Sequence, residues 1–410
     1  MAASTGTLSQ GKRFVLGLQH AAAMFGATVL VPMQTGLHPS VALLTAGLGT
    51  LLFHVVTKGK VPVFLGSSFA FIAAIQLVGQ REGLEYATGG IIAAGLVYMA
   101  LAGLVYLFGV DRVRSFFPPI VAGPMIMVIG LTLADTAVGM ASAHWGVALI
   151  TLLAVVLTAV YARGFFKLLP IMTGIVVGFG AALAFGLVDW TAVQAADWFA
   201  VPPVMAPKFS LSAILAIAPI ALVTMVEHIG DITTNGAVIG KDLIRDPGLH
   251  RTLIGDGLAS ALAGLLGGPA NTTYSENTGV LAVTKNYDPS TLRIAACIAI
   301  VMAFIGKLGA LLQSIPQPVM GGISIVLFGM ITSVGIRQVV DNRVDLSDSR
   351  NLVIAAVVLV LGIGGAALPL HSGLQLSGMA LSALVGIALN KLLPERAAAV
   401  SAGPVLTGDD

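Results

Sequence analysis

Gly267-Gly268-Pro269-Ala270-Asn271-Thr272-Thr273-Tyr274-Ser275-Glu276 interrupts a chain that is otherwise one apolar run after another. Two glycines and a proline stop any helix arriving from the N-terminal side. Asn-Thr-Thr-Tyr reads as extended backbone, and the run on to Lys285 reads as a half-helix beginning near Ser275. At bilayer depth, extended backbone survives only where its polar groups are paired or face a cavity. This stretch therefore marks a candidate site inside a membrane protein.

A counterpart lies about 200 residues earlier, the spacing of an internal repeat. Val61 to Ile75 is punctuated by Pro62 and Gly66 and restarts as a half-helix near Ser67; Pro62, Ser67, Ser68 and Phe69 align with Pro269, Tyr274, Ser275 and Glu276. At a similar spacing, Phe117-Pro118-Pro119-Ile120-Val121-Ala122-Gly123 aligns with Pro316-Gln317-Pro318-Val319-Met320-Gly321-Gly322. The two pairs predict two halves of about seven spans each, and an odd span count turns the second half upside down, as in secondary transporters.

Composition agrees with this reading. Of 410 residues, 57% are hydrophobic and 10% charged, against roughly 25% charged in soluble domains. Apolar runs of about 17 to 25 residues, enough to cross a bilayer, begin near Phe14, Val41, Val61, Thr88, Phe116, Trp145, Leu168, Leu211, Thr252, Pro269, Leu292, Pro316, Asn351 and Gly373. The expectation is an all-α polytopic membrane protein of about fourteen spans, with no soluble domain between them. The longest gaps are Val188 to Phe209 and the polar stretch Asp231 to Arg251. Lys12 and Arg13 precede the first run, which is too long and, with Gln19 and His20, too polar for a signal sequence; it reads as a retained first span. A net charge of +2, scattered over short loops, argues against a nucleic-acid partner. Cys297, the single cysteine, allows no intrachain disulfide or cysteine metal cluster and is expected as a small core hydrophobe.

Basic residues set the orientation, because they concentrate in cytoplasmic loops. With the N-terminus inside, every Lys and Arg except Arg81, Lys208 and Lys307 falls on the cytoplasmic side, including Arg396 near the end. Both termini are then cytoplasmic, and Trp145, Trp190 and Trp198 anchor the outer interface.

The chemistry rests on carboxylates. Glu227 closes the apolar run Leu211 to Val226, and Glu276 opens the second half-helix. A charge at bilayer depth costs about 2.5–3.5 kcal/mol even on lenient scales, so such residues mark function. Asp231 follows Glu227 by one turn and shares its face, as a proton-relay partner or an interfacial residue. His228 and Asp256 read as structural. Gln19 and His20 read as helix-to-helix glue. Phe69 is set across the cavity by its alignment with Glu276, where a planar ligand could stack.

At these positions the chain resembles the nucleobase/ascorbate transporter family, and within it the uracil-carrying bacterial members. Glu276-Asn277-Thr278-Gly279-Val280-Leu281-Ala282-Val283-Thr284-Lys285 fits the family signature of an acid or amide, Asn, any residue, Gly, four variable residues, Thr and a basic or small residue. Gln19-His20, Leu65 to Phe71, Glu227-His228-Ile229-Gly230 and Gly267 to Tyr274 match as well. The resemblance implies short β-strands in the third and tenth spans and two domains. Residues 12–110 (spans one to four) and 210–312 (spans eight to eleven) would form a core; residues 111–209 and 313–396 would form a gate. It implies that Glu227 and Glu276 bind the base, that Phe69 contacts it, and that Ser68, Tyr274 and Ser275 line the pocket, with Glu227, Asp231 or Glu276 carrying a proton. Asn277, Thr284, Gln19 and His20 would support the site, and Phe328 would stand at the gate. Two positions depart from the best-known uracil pattern: Asp231 stands for His, as in purine-carrying members, and Phe328 stands for Tyr.

The implied function is proton-coupled import of uracil or a related pyrimidine through a bacterial cytoplasmic membrane. The proton is the coupling ion, with no other cofactor and no metal, and a homodimer through the gate domains is compatible with the layout. Xanthine or uric acid is the alternative cargo. An anion exchanger or channel of similar architecture is the rival from another class, and two carboxylates in the site argue against it. No H-E-x-x-H, G-x-S-x-G or paired Asp-rich motif points to an enzyme.

Overall fold

The computed structural model describes residues 9–369, 375–376 and 378–394. The chain is mostly helical. Its elements are α1 (Gln10–Thr35), α2 (Pro39–Val56), β1 (Leu65–Ser67), α3 (Ile72–Arg81), α4 (Leu84–Phe108), α5 (Val110–Arg114), α6 (Pro119–Thr132), α7 (Ala134–Ser142), α8 (Trp145–Tyr161) and α9 (Pro170–Ala184). They continue with α10 (Thr191–Ala195), α11 (Leu211–Ile217), α12 (Ile220–Ile239), α13 (Leu249–Leu266), β2 (Asn271–Thr273), α14 (Ser275–Thr284), α15 (Pro289–Ala303) and α16 (Gly306–Gln313). The last are α17 (Gln317–Asp341), α18 (Ser349–Ile363), β3 (Leu368–Pro369), β4 (Gln375–Leu376) and α19 (Gly378–Leu392). Among the described residues, six stretches are long and apolar enough to cross a membrane: α1, α2, α4, α6 with α7, α11 with α12, and α17. Shorter apolar helices of 10–17 residues fill the intervals, among them α3, α8, α9, α15, α18 and α19. Gly373 and Arg396 lie outside the described residues.

The elements pack as two groups. The first four helices, α1 to α4, pack with α11, α13 and α15, while α6 to α9 pack with α17 to α19. Each group has a crossing where two glycines face each other. A Cβ on Gly95 of α4 would stand 2.5 Å from the carbonyl of Gly257 on α13, and one on Gly257 would stand 2.7 Å from the carbonyl of Gly95. On α6 and α17 the same holds for Gly123 and Gly335, at 3.0 and 2.6 Å. Small residues let backbones touch, and in lipid this close packing supplies much of the association energy.

At the centre lies a two-stranded antiparallel sheet. Leu65 pairs with Thr273, Gly66 with Thr272 and Ser67 with Asn271. Ser68 N–H donates to Ala270 O (2.8 Å) and Tyr274 N–H to Phe64 O (3.0 Å), extending the ladder at both ends. All six strand residues are buried, so their outer edges need partners. One hydroxyl serves each edge. Thr50 of α2 accepts from Leu65 N–H (2.9 Å) and donates to Leu65 O (3.3 Å). Ser260 of α13 accepts from Asn271 N–H (3.1 Å) and donates to Asn271 O (2.9 Å). Gly267 ends α13 in the left-handed conformation (φ +83°) that glycine adopts freely, which turns the chain into β2.

Three expectations need correction. The first half-helix does not begin near Ser67: Ser67 and Ser68 are held by the ladder, Phe69–Phe71 form a 3-10 turn, and α3 starts at Ile72. The polar stretch from Asp231 is not a loop from its start, because α12 runs unbroken to Ile239 and ends on left-handed Gly240; Glu227 therefore sits inside a helix. Asn235 shows how so polar a segment stays helical and buried: its amide donates to Pro62 O and Thr278 Oγ1, both at 3.0 Å. Cys297, finally, is exposed on the outer side of α15. An apolar sequence serves equally for a packed core and for a lipid-facing surface.

Candidate functional site

The site forms where α12 passes the central sheet and the start of α14. Glu227, Asp231 and Asn235 lie at successive turns of α12, on one face. Glu276 occupies the first turn of α14, where free N–H groups and the helix dipole favour negative charge. All three acids are half-buried. α14 packs along α12, and the Asn235–Thr278 bond joins the two helices one turn beyond Asp231 and two residues after Glu276. Asp231 also accepts a hydrogen bond from Thr273 Oγ1 (2.8 Å), which ties it to β2.

Around the acids, Phe69 is half-buried in the 3-10 turn that follows β1, Ser275 is exposed, and Ser68 is buried with its hydroxyl unpartnered among the described residues. Phe69 packs against the same apolar cluster as buried Phe328 of α17, with Phe25 and Tyr274. Tyr274 turns its side chain into the protein. Its hydroxyl donates to Ser67 O (3.0 Å) and receives from Thr28 Oγ1 (3.4 Å), so this side chain holds the strand pair.

The signature residues act as clasps. The Asn277 amide reaches His20 O (3.0 Å) and His20 Nδ1 (3.2 Å), binding α14 to α1. Thr284 bonds within its own helix to Val280 O (2.7 Å), at the far end of α14 from the acids. Gln19 is half-buried beside His20. The sequence reading missed Asn235 and Thr278, whose clasp binds α12 to α14; the only signal was Asn235 repeating the spacing of Glu227 and Asp231.

Along α12, Gly230, Thr233, Thr234 and Ala237 are exposed, so an open face runs from the acids toward the C-terminal end of that helix. Among the described residues, no group of three His, Cys, Asp or Glu side chains is placed to hold a metal ion. A half-buried cluster of carboxylates beside donor backbone can accept N–H groups of a small polar ligand while helix-start amides donate to its oxygens.

Comparison with known proteins places the chain in a family. The profile of the Permease family that covers xanthine and uracil permeases matches residues 11–371. The uracil permease of Bacillus caldolyticus is 50% identical over 401 residues, covering 94% of this chain and 93% of its own length. The chain belongs to the nucleobase/ascorbate transporter family. Within the family, the uracil permease of Escherichia coli K12 is 42% identical (92% of this chain, 90% of the relative), and the putative pyrimidine permease RutG of the same strain is 43% identical (93% and 89%). Membership makes the chain an integral, multi-pass membrane protein. The fold also resembles that of proteins with little sequence in common. The transmembrane domain of the cyanobacterial bicarbonate transporter BicA aligns with a TM-score of 0.64 at 16% identity (93% of this chain, 97% of that one). Murine Slc26a9, an anion transporter in the inward-facing state, gives 0.71 at 12% identity (95% and 69%).

Proposed function

We propose that this transporter imports uracil, or a closely related pyrimidine, together with a proton across the bacterial cytoplasmic membrane by alternating access. The observation that carries the reading is the packing of α12, which bears Glu227, against α14, which opens with Glu276, beside the central sheet, in a chain that shares half its residues with a uracil permease. Uracil presents N–H donors between carbonyl acceptors. Glu227 and Glu276 accept from the N–H groups, the amides at the start of α14 donate to a carbonyl, and Phe69 covers the ring. Binding a proton on Glu227, Asp231 or Glu276 removes a charge that burial disfavours, which lets the loaded site pass the gate. The base and the proton then leave on the inside along the open face of α12. An anion would meet three carboxylates here, so the fold shared with bicarbonate and other anion transporters does not extend to the cargo. Asp231 keeps xanthine and uric acid as the second reading, and a thermal-shift panel of nucleobases on purified protein separates them.

The same reading sorts the helices into about fourteen spans in two inverted halves. The matched hydroxyls of Thr50 and Ser260 on the two edges of the central sheet, and the matched glycine crossings, support that relation. Residues 12–110 and 210–312 form the core that carries the base; residues 111–209 and 313–396 form the gate, through which two copies can pair. Both termini face the cytoplasm.

The decisive experiment is uptake of labelled uracil into proteoliposomes. An inward proton gradient should drive accumulation above the external concentration. Uptake that ignores the gradient removes the proton coupling, and the absence of uracil uptake or binding removes the substrate.

A further inference from the structure

His228 and Asp256 stand outside the substrate cluster, yet both side chains are fully buried, and His228 Nδ1 lies 2.9 Å from Asp256 Oδ2. The Tyr98 ring of α4 meets the imidazole edge-on, with centroids 6.5 Å apart and planes at 77°. The 2.9 Å contact is a close approach of the two groups and not a well-aligned hydrogen bond, and no ring nitrogen or carboxylate oxygen of the pair has a hydrogen-bond partner elsewhere among the described residues. A buried carboxylate without a donor is strongly destabilising, so the imidazole is what makes Asp256 tolerable there. The contact joins α13 to α12 at the residue following Glu227.

One helical turn further along the same face of α13 stands Ser260, about 6 Å away along the axis. Its hydroxyl takes both the N–H and the carbonyl of Asn271, the first residue of β2, and β2 leads through Tyr274 and Ser275 into Glu276. A single helix thus grips the element bearing Glu227 with one residue and the element bearing Glu276 with the next.

We propose that Asp256 and Ser260 are positioning residues that set the gap between Glu227 and Glu276, with His228 and Asn271 as the points they hold. Neither touches the ligand. Losing either grip lets one carboxylate drift relative to the other, and a ligand that must meet both at once loses affinity. The inference rests on the nucleobase reading of the site.

The test measures nucleobase affinity by isothermal titration on purified full-length protein, with uracil as probe, alongside the thermal midpoint and the KM and kcat of uptake. H228N, D256N and S260A should each weaken uracil binding about tenfold and raise KM more than they lower kcat. H228N/D256N should be no weaker than the worse single variant, because both act on one contact, whereas H228N/S260A should be weaker than either. H228Q, whose amide reaches one methylene further toward Asp256, should retain more affinity than H228N. A lowered thermal midpoint with wild-type affinity and KM in the folded fraction would mean that the grips serve packing alone, and the proposal falls. S260A removes only a hydroxyl and keeps the measurement open if changes at the His–Asp pair prevent folding; wild-type affinity in S260A also overturns the proposal. Wild-type protein that binds no nucleobase overturns the function and this inference together, whereas wild-type binding with unaffected variants overturns this inference alone.

Discussion

Gly66→Ala tests whether the strand pair has room for a single methyl group. A Cβ built on Gly66 stands 2.7 Å from Thr28 Oγ1 and closer still to the ring of Tyr274. Non-bonded carbons settle at about 3.5–4.0 Å, so the ring must retreat by roughly 1 Å. That retreat stretches the 3.0 Å bond from the Tyr274 hydroxyl to Ser67 O beyond hydrogen-bond range. Overpacking contributes about 1–3 kcal/mol and the lost bond about 1 kcal/mol, giving a destabilisation of about 2–4 kcal/mol. Glu276 follows Tyr274 by two residues, so the same displacement should weaken uracil binding by about tenfold or more. Thermal unfolding in detergent and calorimetric titration measure both effects. Tyr274→Phe, which keeps the ring and removes the hydroxyl, should cost only about 1 kcal/mol. The double variant G66A/Y274L, which makes room for the methyl, should be less damaged than the sum of its singles. A G66A protein with wild-type midpoint and affinity would refute the packing argument outright.

Glu276→Gln and Glu227→Gln should each weaken uracil binding by roughly 10- to 100-fold, the loss of a charge-assisted hydrogen bond of about 1.5–3 kcal/mol; titration that finds unaltered affinity removes the residue from the site. Gly257→Val drives a side chain against the Gly95 carbonyl at the α4–α13 crossing and should cost at least about 2 kcal/mol, read as lost folded protein on size-exclusion chromatography; wild-type yield and midpoint would show that the crossing yields. Lys60→Ala removes an exposed ion pair with Asp246 (2.5 Å) and should change stability by less than about 1 kcal/mol, leaving the thermal midpoint in place.

The broken segments were legible because glycine and proline leave marks that no helical context erases: Gly267-Gly268-Pro269 stops a helix wherever it occurs. Glu276 was legible because an acid at the first turn of an apolar half-helix has few structural reasons to exist. The start of α3 was not, since Ser67 and Ser68 bond across to another span, and only the pairing partner, Asn271 and Ala270, decides that they stay extended. The extent of α12 was hidden in the same way: Thr233, Thr234 and Asn235 have the composition of a loop, and their helicity depends on acceptors on Pro62 and Thr278. His228 and Asp256 read as structural because spacing reports only which residues of one helix share a face. Their meeting belongs to the packing of α12 on α13, as do the hydroxyl caps of Thr50 and Ser260, which look in the sequence like any small polar residue of an apolar span.

The ladder between β1 and β2 has one more consequence. Six extended residues from stretches about 200 residues apart are stitched into one slab, and the two strands cannot slide past each other without baring amide groups where no water can reach them. Under the alternating-access reading proposed above, cargo would be offered the same rigid cradle whichever compartment it comes from. A machine of that kind would take the sense of its net flow from the gradients that surround it.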